Sequence, residues 1–457
     1  EIYPLAPGQQ AMLDHALRDP TPGVYTLQWR CTLHGAIDAA ALQQAWQRAV
    51  DRHAALRTGF AWVGLAQPLQ IVYRHASPPW QQHDLRGQAP ADQQRQLDAL
   101  LASDQARGFE LARAPLLRLM LIQLADDRYY FCWSYHHLLL DGWSVAPLLR
   151  EVLTLYDAAR AADAGLIERA YLGYERRRRK TGPLEAEPRL PTVRPFRDYI
   201  AWIEHQDQTA AESFWRTYLG GAAPFQVSVY TRPEQGYAEQ QRRLAAATTA
   251  ALRALGQRAQ VTLNTLVQGA KALLLSRYSG REELIFGVTV AGRPASLPGV
   301  ETIVGPFINT LPLRVAVSPG ERLLPWLRRL QTQQAELAQF DHIPLAQALA
   351  WAGLDAGAPL FEMILRFQNY PLDSSLWQRA GLEIRDITWF DRWHYPLCFV
   401  VEPGAELTLG VTYDRRRFGD MQIAQMLEQM QSILKHFVAA SDSTLGEVLE
   451  LIEAYVE

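Results

Sequence analysis

Ser134-Tyr135-His136-His137-Leu138-Leu139-Leu140-Asp141-Gly142-Trp143-Ser144 is the stretch of this 457-residue chain whose residue types and spacing could carry chemistry. An imidazole exchanges a proton near neutral pH, a carboxylate four residues on can brace the turn that presents it, and a neighbouring glycine frees the backbone. A strand pattern runs into the motif and a helix pattern leaves it near Val145. Side chains on a strand alternate faces, so His136 and His137 point oppositely and only one can look into a given cleft. They make a poor metal pair. A histidine pair in an apolar strand is ordinarily a satisfied core feature, but HHxxxDG arises by chance on the order of once in a thousand chains of ordinary composition. One base and one brace is the economical reading.

Ser144, between a strand and a helix with a histidine nearby, also suggests the nucleophile elbow of a serine hydrolase. Against this, Ala146 stands where GxSxG needs Gly and no oxyanion-type HGGG stretch is evident. A serine at a helix start is more often an N-cap.

The elements that must position these residues alternate along the chain. Helical spacing marks Leu42 to Arg52 and Glu151 to Ala162, while period-two alternation at Leu117 to Leu124 and Tyr129 to Tyr135, around Asp126-Asp127, predicts an antiparallel hairpin. Strand signals return at Leu284 to Val290, Asn309 to Val317, Phe361 to Phe367 and Leu407 to Tyr413. Helices are predicted at Thr248 to Ala259, Thr265 to Arg277, Leu324 to Ala338 and Met421 to Phe437. The class is mixed α/β. Arg176-Arg177-Arg178-Arg179-Lys180, followed by a proline-rich stretch to Pro195, looks like a linker, and the basic run reads as solvated.

Composition excludes several classes. Hydrophobic residues make up 48% and charged residues 20%, and 45 Lys+Arg against 48 Asp+Glu leave a net charge of −3, so no global footprint for nucleic acid exists. Cys31, Cys132 and Cys398 lie far apart without CxxC spacing, which argues against disulfides and thiolate zinc and favours a cytoplasmic setting. The longest apolar run falls short of the ~20 residues of a membrane helix. The opening Glu1-Ile2-Tyr3-Pro4 suggests a segment of a longer polypeptide.

The histidine motif resembles that of the condensation domains of nonribosomal peptide synthetases, in the chloramphenicol acetyltransferase-like superfamily, and further segments match in order. Pro4 to Leu13 looks like the first family motif, Arg52 to Phe60 the second, and Phe196-Arg197-Asp198-Tyr199-Ile200-Ala201-Trp202 the fourth. Gly292-Arg293-Pro294 with Val304-Gly305-Pro306-Phe307-Ile308-Asn309 resembles the fifth, and His342 to Leu345 and Tyr413 to Phe418 the last two.

The resemblance implies an α/β fold of two acetyltransferase-like lobes, residues 1–180 and 181–457, forming a V-shaped pseudo-dimer with a central tunnel. It implies amide bond formation between a donor peptidyl or acyl thioester and an acceptor aminoacyl thioester. Donor and acceptor peptidyl carrier proteins would present both on phosphopantetheine arms, beside neighbouring synthetase domains and with no bound cofactor, metal, nucleic acid or membrane. His137 is assigned as catalytic and His136 as structural. Asp141 becomes a brace paired to Arg57 or Arg314, and Gly142 a backbone site that substrate passes closely, with Trp143, Ser144 and Asn309 in support. The opening segment resembles the subgroup that takes D-configured donors. Rival readings are an epimerization domain, whose motif continues with Ser before Trp where this chain has Trp143 then Ser144, and a catalytically silent carrier-docking module.

Overall fold

The alternating runs on either side of Asp126-Asp127 form the hairpin expected of them: in the computed structural model Leu117–Ala125 pairs antiparallel with Arg128–His136. The structure describes all residues except 20, 22, 173–189, 226–235, 356–358, 371–377, 380–381 and 453–457. The basic run Arg176 to Lys180 lies outside the described residues.

The chain divides into two units, and neither is a single stretch of sequence. The first comprises Glu1–Gln206, Arg293–Phe307 and Tyr370–Trp393, and the second Asp207–Gly292, Ile308–Asn369 and His394–Glu457. Residues 190–206 and two later segments, which the sequence placed with the second lobe, therefore fold with the first. The reason is strand pairing. Leu382–Asp391 inserts beside Thr26–His34, so a six-stranded sheet runs in the order Gln378–Arg379, Leu382–Asp391, Thr26–His34, Arg128–His136, Leu117–Ala125, Trp80–Asp84. Arg293–Phe307 packs through Leu297, Val300, Ile303 and Phe307 against Ala6, Phe196, Tyr199 and Ile200. A smaller three-stranded sheet joins Ile2–Pro4, Leu69–Val72 and Thr58–Ala61.

Within this unit the helix Ala39–Arg52 buries Leu42, Ala45, Trp46, Ala49 and Val50, one stripe at helical spacing, and Asp38 caps it by accepting from Ala41 N at 3.0 Å. Trp46 covers Trp133 of the sheet, with ring centroids 4.8 Å apart. The helix after the histidine motif runs Gly142–Leu172, starting three residues earlier than its apolar pattern indicates.

The second unit has its own six-stranded sheet, ordered Asn309–Ala316, Glu283–Val290, Met363–Phe367, Leu397–Glu402, Leu407–Asp414, Tyr237–Leu244. Met363–Phe367 is parallel to both neighbours and the remaining pairs are antiparallel. Helix Leu263–Ser279, capped by Thr262, is buried on every side from Thr265 to Ser276, which is why its sequence reads as apolar all round rather than striped. Among the described residues no helix is long and apolar enough to cross a membrane.

Candidate active site

The strand Arg128–His136 ends at His136, and His137 opens a turn just beyond it. The turn is sewn to the neighbouring chain through one residue: Tyr25 O accepts from His137 N at 2.9 Å, and Tyr25 N donates to Arg392 O at 2.8 Å. The two imidazoles separate as strand geometry requires. His136 Nδ1 accepts from Leu138 N at 3.1 Å, and its ring lies near those of Tyr25 and Phe109. It lines a cavity of about 330 Å³ with Val24, Trp62, Phe109 and Leu111. Burial, with the neighbouring His137, pushes its pKa down to about 3, so it is neutral at physiological pH.

His137 is only 2% exposed. Its Nδ1 lies 3.1 Å from Leu140 O, and a carbonyl can only accept, so Nδ1 carries the hydrogen. With the hydrogen on Nδ1, the unprotonated ring has its lone pair on Nε2. That atom lies 3.6 Å from Asp391 Oδ1, while Trp393 packs on the ring at 4.9 Å between centroids. An imidazole held in this tautomer can accept a proton at Nε2 whenever the ring is unprotonated.

Asp141 forms a buried polar hub beneath this turn. Its Oδ1 accepts from Ser144 N at 2.9 Å, which makes Asp141, not Ser144, the N-cap and accounts for the early start of the helix at Gly142. Arg293 Nη2 approaches Oδ1 and Oδ2 at 3.1 and 3.3 Å, and Phe307 N donates to Oδ2 at 3.1 Å. The guanidinium donates as well to Val300 O and Ile303 O and stacks 4.1 Å from the Phe307 ring centroid. A charge this deep is tolerated because it is paired and its lone pairs are filled.

The partner of Asp141 is thus Arg293, neither Arg57 nor Arg314. Arg57 donates to the carbonyls of Val50, Tyr73 and Arg74, and Arg314 to Glu283 and to the carbonyls of Tyr218 and Gly220. Both cations instead tie down local chain ends. Asn309 Nδ2 donates to Asp341 O and Ile343 O at 2.8 and 2.9 Å, holding the segment around His342.

Ser144 is no nucleophile. Its buried Oγ lies 2.8 Å from both Asp141 Oδ1 and Gly305 O, to which its single proton can go, and it accepts from Gly305 N and Arg293 Nη2 at 3.0 Å. The hydroxyl is consumed as a joint, which removes the hydrolase reading.

Gly142 also differs from expectation. Its φ is not among the positive ones of the described chain, so it supplies no unusual backbone angle. A Cβ there would stand 2.2 Å from the Tyr370 ring, which therefore occupies the close-approach space expected for substrate. Trp143 meets the same ring edge to face at 6.1 Å.

A family model of the condensation domain matches residues 1–176 and 180–454. The chain belongs to the condensation domain family. Among curated relatives, a linear gramicidin synthase polypeptide of Brevibacillus parabrevis is 39% identical over 460 residues, covering 99% of this condensation domain and 6% of that protein. Surfactin synthase subunit 3 of Bacillus subtilis (strain 168) is 28% identical, covering 98% and 34%. This condensation domain therefore spans a small part of the length of these relatives. Among solved structures, the starter condensation domain of rhizomide synthetase aligns with a TM-score of 0.77 at 18% identity, over 97% of this chain and 96% of that one. A four-domain nonribosomal peptide synthetase bound to AMP and glycine aligns with the same TM-score at 16% identity, over 98% and 34%. The expected fold class, mixed α/β in the condensation-domain architecture, is the observed one.

Sequence reading singled out His136, His137 and Asp141 but not Asp391 and Trp393, which the structure places against the His137 ring. Arg293 stood inside a quoted motif, and its pairing with Asp141 was assigned elsewhere.

Proposed function

We propose that this condensation domain forms amide bonds between two thioesters carried on phosphopantetheine arms of donor and acceptor carrier proteins, within a nonribosomal peptide synthetase. The observation that carries the reading is the His137 ring, locked by Leu140 O so that Nε2 bears the lone pair. The acceptor's α-amine attacks the donor thioester carbon. As the C–N bond forms the carbonyl π electrons move to oxygen, and Nε2 takes the proton that nitrogen sheds. Collapse restores the carbonyl and expels the donor thiolate, which recovers that proton from the imidazolium and leaves as free thiol. Holding both tethered reactants at reacting distance contributes as much as the proton transfer. No resident cofactor enters this scheme.

The donor residue is D-configured in this reading, supported by the resemblance of the opening segment and of the stretch from His136 to Glu151 to domains that follow an epimerization step. Inverting the α-carbon drives its side chain into the opposite wall, and a misplacement of about 1 Å costs on the order of 10²-fold in rate. The test loads D- and L-ended donors separately on carriers and times dipeptidyl product with an L-aminoacyl acceptor. Product from the D donor at least tenfold faster supports both parts. Equal rates or an L preference removes the stereochemical part alone. Product absent with both, or α-proton exchange in its place, leaves the silent docking module or the epimerization domain.

A further inference from the structure

The cavity behind His136 is lined by two buried polar groups that the chemistry at His137 leaves unused. Leu138 N donates to His136 Nδ1, so that nitrogen carries no hydrogen and the ring bears its one hydrogen on Nε2, which can only donate. Burial keeps the ring in that neutral form. Thr26 pairs with His136 across the strands, so both side chains stand on one face of the sheet. Thr26 is 1% exposed, and among the described residues its Oγ1 has no hydrogen-bond partner. A buried hydroxyl without a partner is costly, and the N–H beside it asks for the same thing, an acceptor oxygen.

The walls are apolar and held in place. They are formed by Val24, Trp62, Phe109 and Leu111. The Phe109 ring meets His136 edge to face at 6.2 Å and carries the Arg118 guanidinium 4.0 Å from its centroid. Arg118 is itself fixed by Asp104 at 2.7 Å and donates to Gly108 O at 2.6 Å, while Phe60 N donates to Leu111 O at 2.9 Å. The charged residues of the lining, Asp19 and Arg107, are of opposite sign and add no net charge. The floor made by Thr26 and His136 is neutral, so it offers an anion no counter-charge, and His136 Nε2–H faces a cationic or amine donor with a second donor.

We propose that this cavity binds a small uncharged aryl carbonyl compound, a ketone, ester or tertiary amide, whose oxygen accepts from His136 Nε2 and Thr26 Oγ1. A carbonyl oxygen has two lone pairs and fills both donors at once, with no hydrogen of its own to place. Trp62 and Phe109 favour an aromatic body, because ring edges and faces attract. At about 330 Å³ the cavity lies at the small end of the roughly 300–1,000 Å³ of ligand pockets, so the ligand is close to a single substituted ring. The site is independent of the condensation reading and stands or falls by binding alone.

The probe is acetophenone, a ring with one carbonyl and no donor, and its control is α-methylstyrene, the same shape with a methylene in place of the oxygen. Each is titrated into the whole chain carrying isotope-labelled histidine, and binding is read by NMR at the His136 ring nitrogens and by the melting temperature. Acetophenone is expected to saturate with a Kd on the order of 1 mM, to shift the His136 Nε2 signal, and to bind about tenfold or more tighter than α-methylstyrene. Benzoate and benzylamine, which bring charge onto a neutral floor, are expected to bind about tenfold or more weaker than acetophenone. Thr26→Val keeps the shape and is expected to weaken acetophenone by about five- to tenfold without weakening α-methylstyrene. Leu111→Trp, at a half-buried wall position, is expected to fill the cavity and abolish binding of both. Equal affinity of the wild type for acetophenone and α-methylstyrene, or binding of neither, overturns the proposal whatever Leu111→Trp does to the fold. Benzoate or benzylamine binding as tightly as acetophenone overturns the assigned ligand class, and acetophenone binding that leaves the His136 signal unmoved places the probe elsewhere and overturns the site.

Discussion

Two buried ionisable groups, Asp141 in the first unit and Lys271 in the second, show opposite ways of living without water. Both are fully buried. Asp141 keeps its charge company with Arg293, two backbone N–H groups and the Ser144 hydroxyl. Among the described residues Lys271 Nζ has no hydrogen-bond partner, and it rests between the faces of Phe286 and Phe399, 4.5 and 4.8 Å from their centroids. Burial pushes its pKa well below that of an ordinary lysine. A paired charge fixes a unique local arrangement of three chain segments, whereas burial of an unpartnered one disfavours its charged form and leaves a flexible amphipathic stem to fill space. The site is built on the first kind of burial because a catalytic turn needs one geometry.

The sharpest way to break this contrast is Asp141→Ala. It strands the Arg293 guanidinium and is expected to cost about 3–5 kcal/mol in urea unfolding. Activity should fall with the fold, and the double variant Asp141→Ala/Arg293→Met should recover part of the loss. A mutant of unchanged stability would show that the hub is not what orders the turn.

Lys271→Met tests the other side, with a sign that follows from proton binding. Lys271 has a depressed folded pKa, so between that value and the unfolded one near 10.4 the unfolded chain binds the extra proton and wild-type stability rises with pH. Lys271→Met removes that dependence. It is expected to be more stable than wild type at pH 7, and its lead should shrink by up to about 1.4 kcal/mol per pH unit towards pH 9. A lead that does not vary with pH would mean that Lys271 keeps its proton when folded.

A smaller effect is expected from Gly142→Ala, at the first residue of the helix that Asp141 caps. The added methyl meets the Tyr370 ring, and pushing it aside is expected to cost about 1–2 kcal/mol while leaving the hub intact. If Tyr370→Ala restores the melting temperature of Gly142→Ala, the glycine is there for the ring.

What the sequence made legible follows the range of the interactions. Hairpin, helices and the histidine turn are local: alternation at Leu117 to Leu124 and the stripe at Leu42 to Arg52 survive in any context that buries one face. The helix Leu263–Ser279 was found two residues short at each end because Thr262 and Gly280 close it through caps, not hydrophobic spacing. The partner of Asp141 was misassigned because arginines are indistinguishable by type, and only the return of Arg293–Phe307 to the first unit selects one of them. Asp391 and Trp393 carried no local signal at all. Their place depends on the register of Leu382–Asp391 against Thr26–His34, which shifts at a bulge between Arg385 and Thr388, and a one-residue slip would turn the carboxylate to the opposite face.

The central claim is that His137 Nε2 takes the proton from the attacking amine, and single-turnover mass spectrometry of carrier-bound product tests it most directly. Wild type and His137→Ala are mixed with loaded donor and acceptor carriers under identical conditions. His137→Ala is expected to keep its melting temperature and to form dipeptidyl carrier slower by a factor on the order of 10² or more. A folded His137→Ala that forms product near the wild-type rate would contradict the account.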